Sequence, residues 1–406
     1  MSKRVTFLGI ILLLLAFRNK NVVLLLQFLI LLEVFFKAKI NSQAIKYAVI
    51  LALPIFIAGS YGLYRFPVYD VLKDCFYFLN PVLFLILGFR LGRVVGNEKT
   101  FVIWCILFGT LLSCVHIVTV IFIDGFDSIL DPRVLRDEYD IRNYVLSVAA
   151  LFLLTVYTFI WKQRFLGQFF WVFFFLNLFS LYLSGSRSDI LLFLCALLSA
   201  FTLISRYRLL IILFIAMAVL SSWYSIQMLP ESNKTVEVLK RSLSELSFTA
   251  ATDAEERNSY YRGWESYRTW ITYRSGTTWE QLAGHGMGAM ADLGVKMILG
   301  GEDAEPRQFI PFMHNGYMYL LLKTGLIGIL LFGIFFYSVF RQALRIRKRE
   351  IIMVASFLFA ILVTNVLIAT IFNFAYVTFW LLVGAFLCYA DIPKVIRKKQ
   401  YDQNVA

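Results

Sequence analysis

Charge is scarce in this chain. Only 16% of its 406 residues are Asp, Glu, Lys or Arg, where a soluble domain carries about a quarter, so there is too little polar surface to dissolve a globule of this size. Histidine is rarer still: His116, His285 and His314 are the three in the chain, which confines imidazole chemistry to very few places. The five cysteines, Cys75, Cys105, Cys114, Cys195 and Cys388, all lie in or beside apolar runs and form no Cys-x-x-Cys pair. They read as packing residues and indicate neither a disulfide framework nor a metal site. No repeat relates the two halves of the chain, an absence that argues against the repeat-built architecture usual for transporters.

What is abundant is hydrocarbon. Hydrophobic residues make up 60% of the chain and its mean hydropathy is +0.73, as expected of an integral membrane protein. Apolar runs that can cross about 30 Å of hydrocarbon as helices recur at 3–17, 22–36, 45–63, 71–92, 101–123, 143–161, 166–184, 188–204, 208–224, 312–340, 351–372 and 374–391. The pattern predicts an all-α integral membrane fold of about 12 transmembrane helices. Phe17-Arg18-Asn19-Lys20 follows the first run in place of a small-residue cleavage site, so that run reads as a membrane helix and not as a cleaved signal peptide.

Basic residues set the orientation. Lys3 and Arg4; Lys37, Lys39 and Lys46; Arg90, Arg93 and Lys99; Lys162 and Arg164; Arg206 and Arg208; Arg341, Arg345, Arg347, Lys348 and Arg349; and Lys394, Arg397, Lys398 and Lys399 fall on alternate short connections and make up more than half of the 39 Lys and Arg. By the positive-inside rule these connections and both termini are cytoplasmic. The expected organisation is 1–224 with transmembrane helices one to nine, 225–311 as one large outer loop containing short helices, 312–391 with helices ten to twelve, and 392–406 as a cytoplasmic tail. The net charge of +13 follows from this asymmetry and from attraction to anionic lipid; the bilayer is the expected partner, and nucleic acid is not.

Three outward-facing features carry polar chemistry. Ser184-Gly185-Ser186-Arg187-Ser188-Asp189 is a tight turn between two apolar helices; Arg187 suits either snorkelling to the interface or a phosphate held at the membrane surface. In the segment from Arg257 to Trp270, helical spacing brings Arg257, Tyr261, Trp264 and Arg268 within about 40° of one direction while Arg262 points away. That basic, aromatic face fits a diphosphate and a sugar ring, and fits an interfacial helix on lipid equally well. His314 stands at the water-facing start of an apolar helix, where an imidazole adds nothing to membrane stability and where chemistry on a lipid-linked substrate needs a titratable group. His116, inside an apolar run, reads as a packed core residue. His285, in the turn Gly284-His285-Gly286-Met287-Gly288, is a weaker candidate than His314. Lys323, deep in the apolar helix, is expected to meet a carboxylate or a carbonyl, since an unpaired lysine there costs about 3 kcal/mol.

His314-Asn315, nine residues and then Gly325-Leu326-Ile327-Gly328 resemble the His-Asn-x9-Gly-x-x-Gly signature of the bacterial O-antigen ligase and O-antigen polymerase superfamily of polytopic glycosyltransferases. Ser186-Arg187 between two helices and the turn at 282–288 support that resemblance, whose motifs span roughly residues 180 to 330. The family's arginine followed four residues later by tryptophan is represented here by Arg257 and Tyr261, with Arg262 and Arg268 nearby, so which arginine takes that role stays open.

The resemblance implies transfer of glycan from an undecaprenyl-diphosphate-linked donor to a glycan acceptor on the periplasmic face of the inner membrane, with no cofactor, metal or nucleotide. It implies an inverting displacement with His314 as general base. Arg187, Arg257, Arg262 and Arg268 would bind diphosphate, and Tyr261, Trp264, Asn315 and His285 would contact sugar. No Asp-x-Asp pair marks an outer turn, although Glu302-Asp303 lies in the loop. A flippase and a chain-length regulator are candidate further partners. Polymerisation of lipid-linked repeat units is placed first, ligation of glycan to lipid A-core second, and a polysaccharide transporter or flippase third.

Overall fold

Hydrocarbon offers a backbone no hydrogen-bond partner, and the helix satisfies every N–H and C=O within one segment. The computed structural model describes residues 21, 23–29, 42–124, 145–163, 167–205, 207, 217, 221, 257, 260–298 and 305–391. Its elements are α1 (Ser42–Arg65), α2 (Val68–Val95), α3 (Glu98–Asp124), α4 (Val145–Thr155), α5 (Phe170–Leu183), α6 (Arg187–Ile204), α7 (Tyr261–Arg274), α8 (Thr278–Ala283), β1 (Ala291–Ile298), β2 (Pro306–Ile310), α9 (Gly316–Ile346), α10 (Arg349–Thr364) and α11 (Val377–Asp391).

Among the described residues six helices are long and apolar enough to cross a membrane: Ile45–Arg65, Val68–Val95, Glu98–Ile123, Arg187–Ile204, Gly316–Ile346 and Phe374–Asp391. Val145–Ile160 and Gly167–Leu183 are shorter apolar helices. The runs expected at 3–17 and 208–224, most of 22–36, most of the loop before residue 260 and the tail at 392–406 lie outside the described residues. The structure therefore supports a multi-pass helical membrane fold.

Two departures from the expected pattern have local causes. Between α8 and α9 the chain forms strands that the sequence reading did not expect: β1 and β2 pair antiparallel, with Ala291 opposite Ile310 and Ile298 opposite Pro306. A period of two drives the pairing, since Ala291, Leu293 and Ile310 are buried while Gly294, Lys296 and Phe309 are exposed or partly so. The run at 351–372 is helical only to Thr364. Beyond it, Asn365 Oδ1 accepts from Ile371 N at 3.2 Å and Thr370 Oγ1 donates to the Ile361 carbonyl at 2.9 Å. Side chains thus hold the turn that follows the helix against its last residues.

The core is centred on α2 and α11, which pack closely because Gly88 and Gly384 face each other's helix: a Cβ at Gly88 would collide with the Leu381 carbonyl, and one at Gly384 with that of Leu85. α10 lies against α6 and α11, α1 against α2 and α9, and α3 against α4 and α5. One polar knot sits among these apolar contacts. Lys323 of α9 is wholly buried and donates to Asp74 Oδ2 of α2 and to the Ala289 carbonyl, the carboxylate and carbonyl partners its position calls for. Asp74 also accepts from Tyr319 Oη at 3.1 Å and from Gly288 N at 2.7 Å.

Removing one member of such a pair leaves a buried charge unmatched and costs about 3–5 kcal/mol. Lys323→Met should therefore lower the thermal midpoint in detergent sharply, and adding Asp74→Asn should restore most of the loss. Equal midpoints for the Lys323→Met single and the double variant would show that the pair is uncoupled.

Candidate functional site

The glycine turn after α8 docks at the break in α9. Gly325 leaves helical geometry at φ 62°, ψ −161°, a conformation that glycine alone adopts readily. The backbone opened there receives the glycine turn: His285 N donates to the Leu322 carbonyl at 2.9 Å and Gly286 N to that of Lys323 at 3.2 Å. A Cβ on Gly325 would press on Gly284 N and the Leu282 carbonyl, and one on Gly284 would press on the Lys323 carbonyl. The spacing from His314 to Gly325 thus measures the first turns of α9 from its mouth to this dock.

At the mouth itself, Asn315 caps α9, its Oδ1 accepting from Tyr317 N at 3.0 Å and Met318 N at 3.2 Å. Gly316 N then donates to the Asn365 carbonyl at 2.8 Å, tying the start of α9 to the turn after α10. His314 precedes the cap with its side chain 46% exposed.

α7 supplies the partner. Glu265, 1% exposed, accepts from His314 N at 3.0 Å through Oε2, and the imidazole Nδ1 lies 3.2 Å from Oε2 and 3.3 Å from Oε1. Tyr261, one turn earlier, hydrogen-bonds the same carboxylate and meets the imidazole edge-on, ring centroids 5.9 Å apart at 90°. Burial, and then the neighbouring Glu265, push the Tyr261 phenol well above its ordinary range. With Arg307, Ile310, Pro311 and Phe312 these three residues line a cavity of about 360 Å³, at the low end of the size that holds a small ligand.

The remaining residues singled out in the sequence are placed as follows. Arg257 sits over the Trp264 ring, 6.0 Å from its centroid, and Tyr261 and Trp264 are 6.2 Å apart, so these three of the four residues that helical spacing groups do meet, with Trp264 3% exposed. Arg268 braces the hairpin, its Nε donating to the Asp292 carbonyl at 3.2 Å and its guanidinium 3.8 Å from the Asp292 carboxylate. Arg262 is half-buried on α7. Arg187 is exposed at the first position of α6, behind the Ser186 cap that accepts from Asp189 N. His285 Nε2 donates to the Tyr273 carbonyl at 3.2 Å, holding the glycine turn to the end of α7. His116 bonds Ser180 Oγ at 2.9 Å in the core.

Arg307 and Glu265 are the cavity residues that the sequence signal did not single out as a pair with His314. Glu265 is 49 positions from His314, and nothing local marks it among the aromatic residues of α7. Arg307 reaches the cavity only because the hairpin returns β2 beside α7, although its place seven residues before His314 was a usable hint.

The assembly of α7, α8 and the hairpin is also clipped to α1. Glu280 of α8 closes a capping box with Thr277 and pairs with Arg65. Burial alone would raise the Glu280 carboxyl, but the Arg65 and Thr277 hydrogen bonds outweigh it and bring it down from 4.5 to about 2. A depressed carboxyl contributes stability fully above its ordinary value and loses it as pH falls through the folded one. Docking of α8 should therefore hold above about pH 4.5 and loosen as pH drops toward 2. Fluorescence of the adjacent Trp279 checks this. Glu280→Gln should weaken docking at neutral pH and flatten that acid dependence, and an unchanged acid transition in the variant would remove Glu280 as its cause.

No curated protein and no solved structure matched the chain. A family model described as O-antigen ligase, Wzy_C, does match, over residues 172–333. That segment runs from α5 through the glycine turn, the hairpin and His314 to the break in α9, so it contains the whole site. Over these residues the chain is similar to the O-antigen ligase family, in keeping with the superfamily of O-antigen ligases and polymerases, whose members are membrane glycosyltransferases.

Proposed function

We propose that the chain joins lipid-linked glycan units at the outer face of the membrane, with His314 as general base. The observation that carries this reading is the half-exposed imidazole at the mouth of a candidate membrane helix, inside a cavity that also holds a buried carboxylate and an arginine. In the reaction, the acceptor sugar's hydroxyl oxygen bonds to the anomeric carbon as the bond from that carbon to the diphosphate oxygen breaks. The hydroxyl proton passes to His314, and the electron pair leaves with the diphosphate.

The leaving diphosphate is already charged, so arginines are suited to stabilise it. Arg307, in the cavity, joins Arg187, Arg257, Arg262 and Arg268 as the cations proposed for that task. The donor is proposed to be undecaprenyl diphosphate-linked, in a bacterial inner membrane with both termini cytoplasmic. Polymerisation is placed first, on the likeness of the 306–335 segment. Ligation to lipid A-core is the second reading, favoured by the description of the matching family.

Loss of a general base costs 10² to 10⁴ in rate. His314→Ala should insert and melt like the parent, yet join no glycan when purified protein is supplied with lipid-linked donor and either a second lipid-linked unit or lipid A-core; which acceptor the parent uses separates the two readings. A His314→Ala variant that still builds product would end the base assignment. Arg187 gives a separate check. Lysine keeps the charge but not the fork, so Arg187→Lys should lose nearly as much activity as Arg187→Ala, and full activity in the alanine variant would leave Arg187 an interfacial anchor.

A further inference from the structure

Glu265 is buried where an acid is costly unless several donors meet it. Three do: His314 N at 3.0 Å, His314 Nδ1 at 3.2 Å and the Tyr261 hydroxyl. A carboxylate only accepts, so the ring nitrogen facing it carries hydrogen. The other nitrogen, Nε2, is then the ring's lone-pair site. Since the imidazole lines the cavity and its Nδ1 edge is taken by Glu265, Nε2 is the ring atom with base capacity for the cavity's occupant.

We propose that Glu265 is a positioning residue for His314: it fixes the Nδ1–H tautomer, holds the ring through both backbone and side chain, and stabilises the imidazolium formed when the acceptor's proton arrives at Nε2. This rests on the reading of His314 as the base. The charged and titratable groups lining the cavity with the imidazole are Glu265 and Tyr261 from α7 and Arg307 from β2. Tyr261, kept protonated by burial and by Glu265, serves as a donor to the carboxylate and does not compete for the proton. The bond from His314 N has its own consequence, because it also sets where the chain enters α9. A purely structural role for Glu265 would use that bond alone.

Glu265→Gln separates the two roles, since the amide oxygen can still accept from His314 N while the side chain loses its charge. The variant should insert and melt like the parent, keep KM within about threefold and lose on the order of 10³ to 10⁴ in kcat, the scale seen when a histidine's orienting acid becomes an amide. Nitrogen NMR of ¹⁵N-histidine-labelled protein, with His314→Ala identifying the signal, should show hydrogen on Nδ1 in the parent and a shift toward Nε2–H in Glu265→Gln. A kcat within about threefold of the parent, or a parent His314 carrying its hydrogen on Nε2, would overturn the proposal, and the parent spectrum decides even if the variant fails to insert. An active Glu265→Gln beside an inactive His314→Ala removes the positioning role alone. An active His314→Ala removes the base reading and this one together.

Discussion

Lys323 and Asp74 face each other wholly buried between two largely apolar helices, and much of the arrangement from α7 to α9 follows from how that pair is satisfied. A lysine at that depth is tolerable only if its hydrogens find acceptors, and the Asp74 carboxylate needs donors in turn. Neither helix supplies enough. The shortage is met by the glycine turn, whose Ala289 carbonyl takes a lysine hydrogen and whose Gly288 N–H fills the carboxylate, while Tyr319 supplies another donor. The pair therefore acts as a socket that only a correctly seated turn completes, and satisfying the charge recruits the loop.

From that socket the geometry runs outward. The turn occupies the backbone opened at Gly325, so α9 is held at its break, and α8 continues to α1 through Glu280 and Arg65. Tyr273 at the far end of α7 is bound by His285 of the same turn. α7 is thereby fixed at one end by the turn and along its length by β1, through Arg268 and Asp292. Glu265 and Tyr261, near its start, are delivered to His314 by a helix with little freedom to move. Chemical groups in the cavity thus depend on a buried ion pair that never touches them.

Much of this was legible in the sequence, and the illegible part has a common physical origin. Apolar runs mark helices because hydrocarbon leaves the backbone no alternative, and the described apolar helices fall in or overlap those runs. His314 was visible because a polar group at a helix mouth violates the local pattern. Lys323 announced its need for a partner in the same way, and Asp74 is an acid inside the apolar run at 71–92, but the two lie 249 positions apart and nothing local joined them. The pairing of Glu265 with His314 was hidden for the same reason: an acid in a polar, aromatic helix breaks no rule until a distant backbone N–H is laid against it. The hairpin was masked by its short, irregular alternation between two glycine-rich stretches. Local violations can be read; pairings across the chain cannot.

The His-Asn pair shows how two adjacent residues divide the labour. Asn315 spends its side-chain oxygen on the first N–H groups of α9 and fixes where the helix begins. His314, one residue earlier, is therefore outside the helical ladder, and its N–H is an orphan that Glu265 takes. One carboxylate then receives both the backbone and the imidazole of the same residue, which leaves the ring very little rotational freedom. Moving the cap one position earlier would place the histidine in the first turn of the helix and change the direction of its N–H and ring relative to Glu265. The two residues must be neighbours because the helix start has to be set immediately after the residue whose orientation matters.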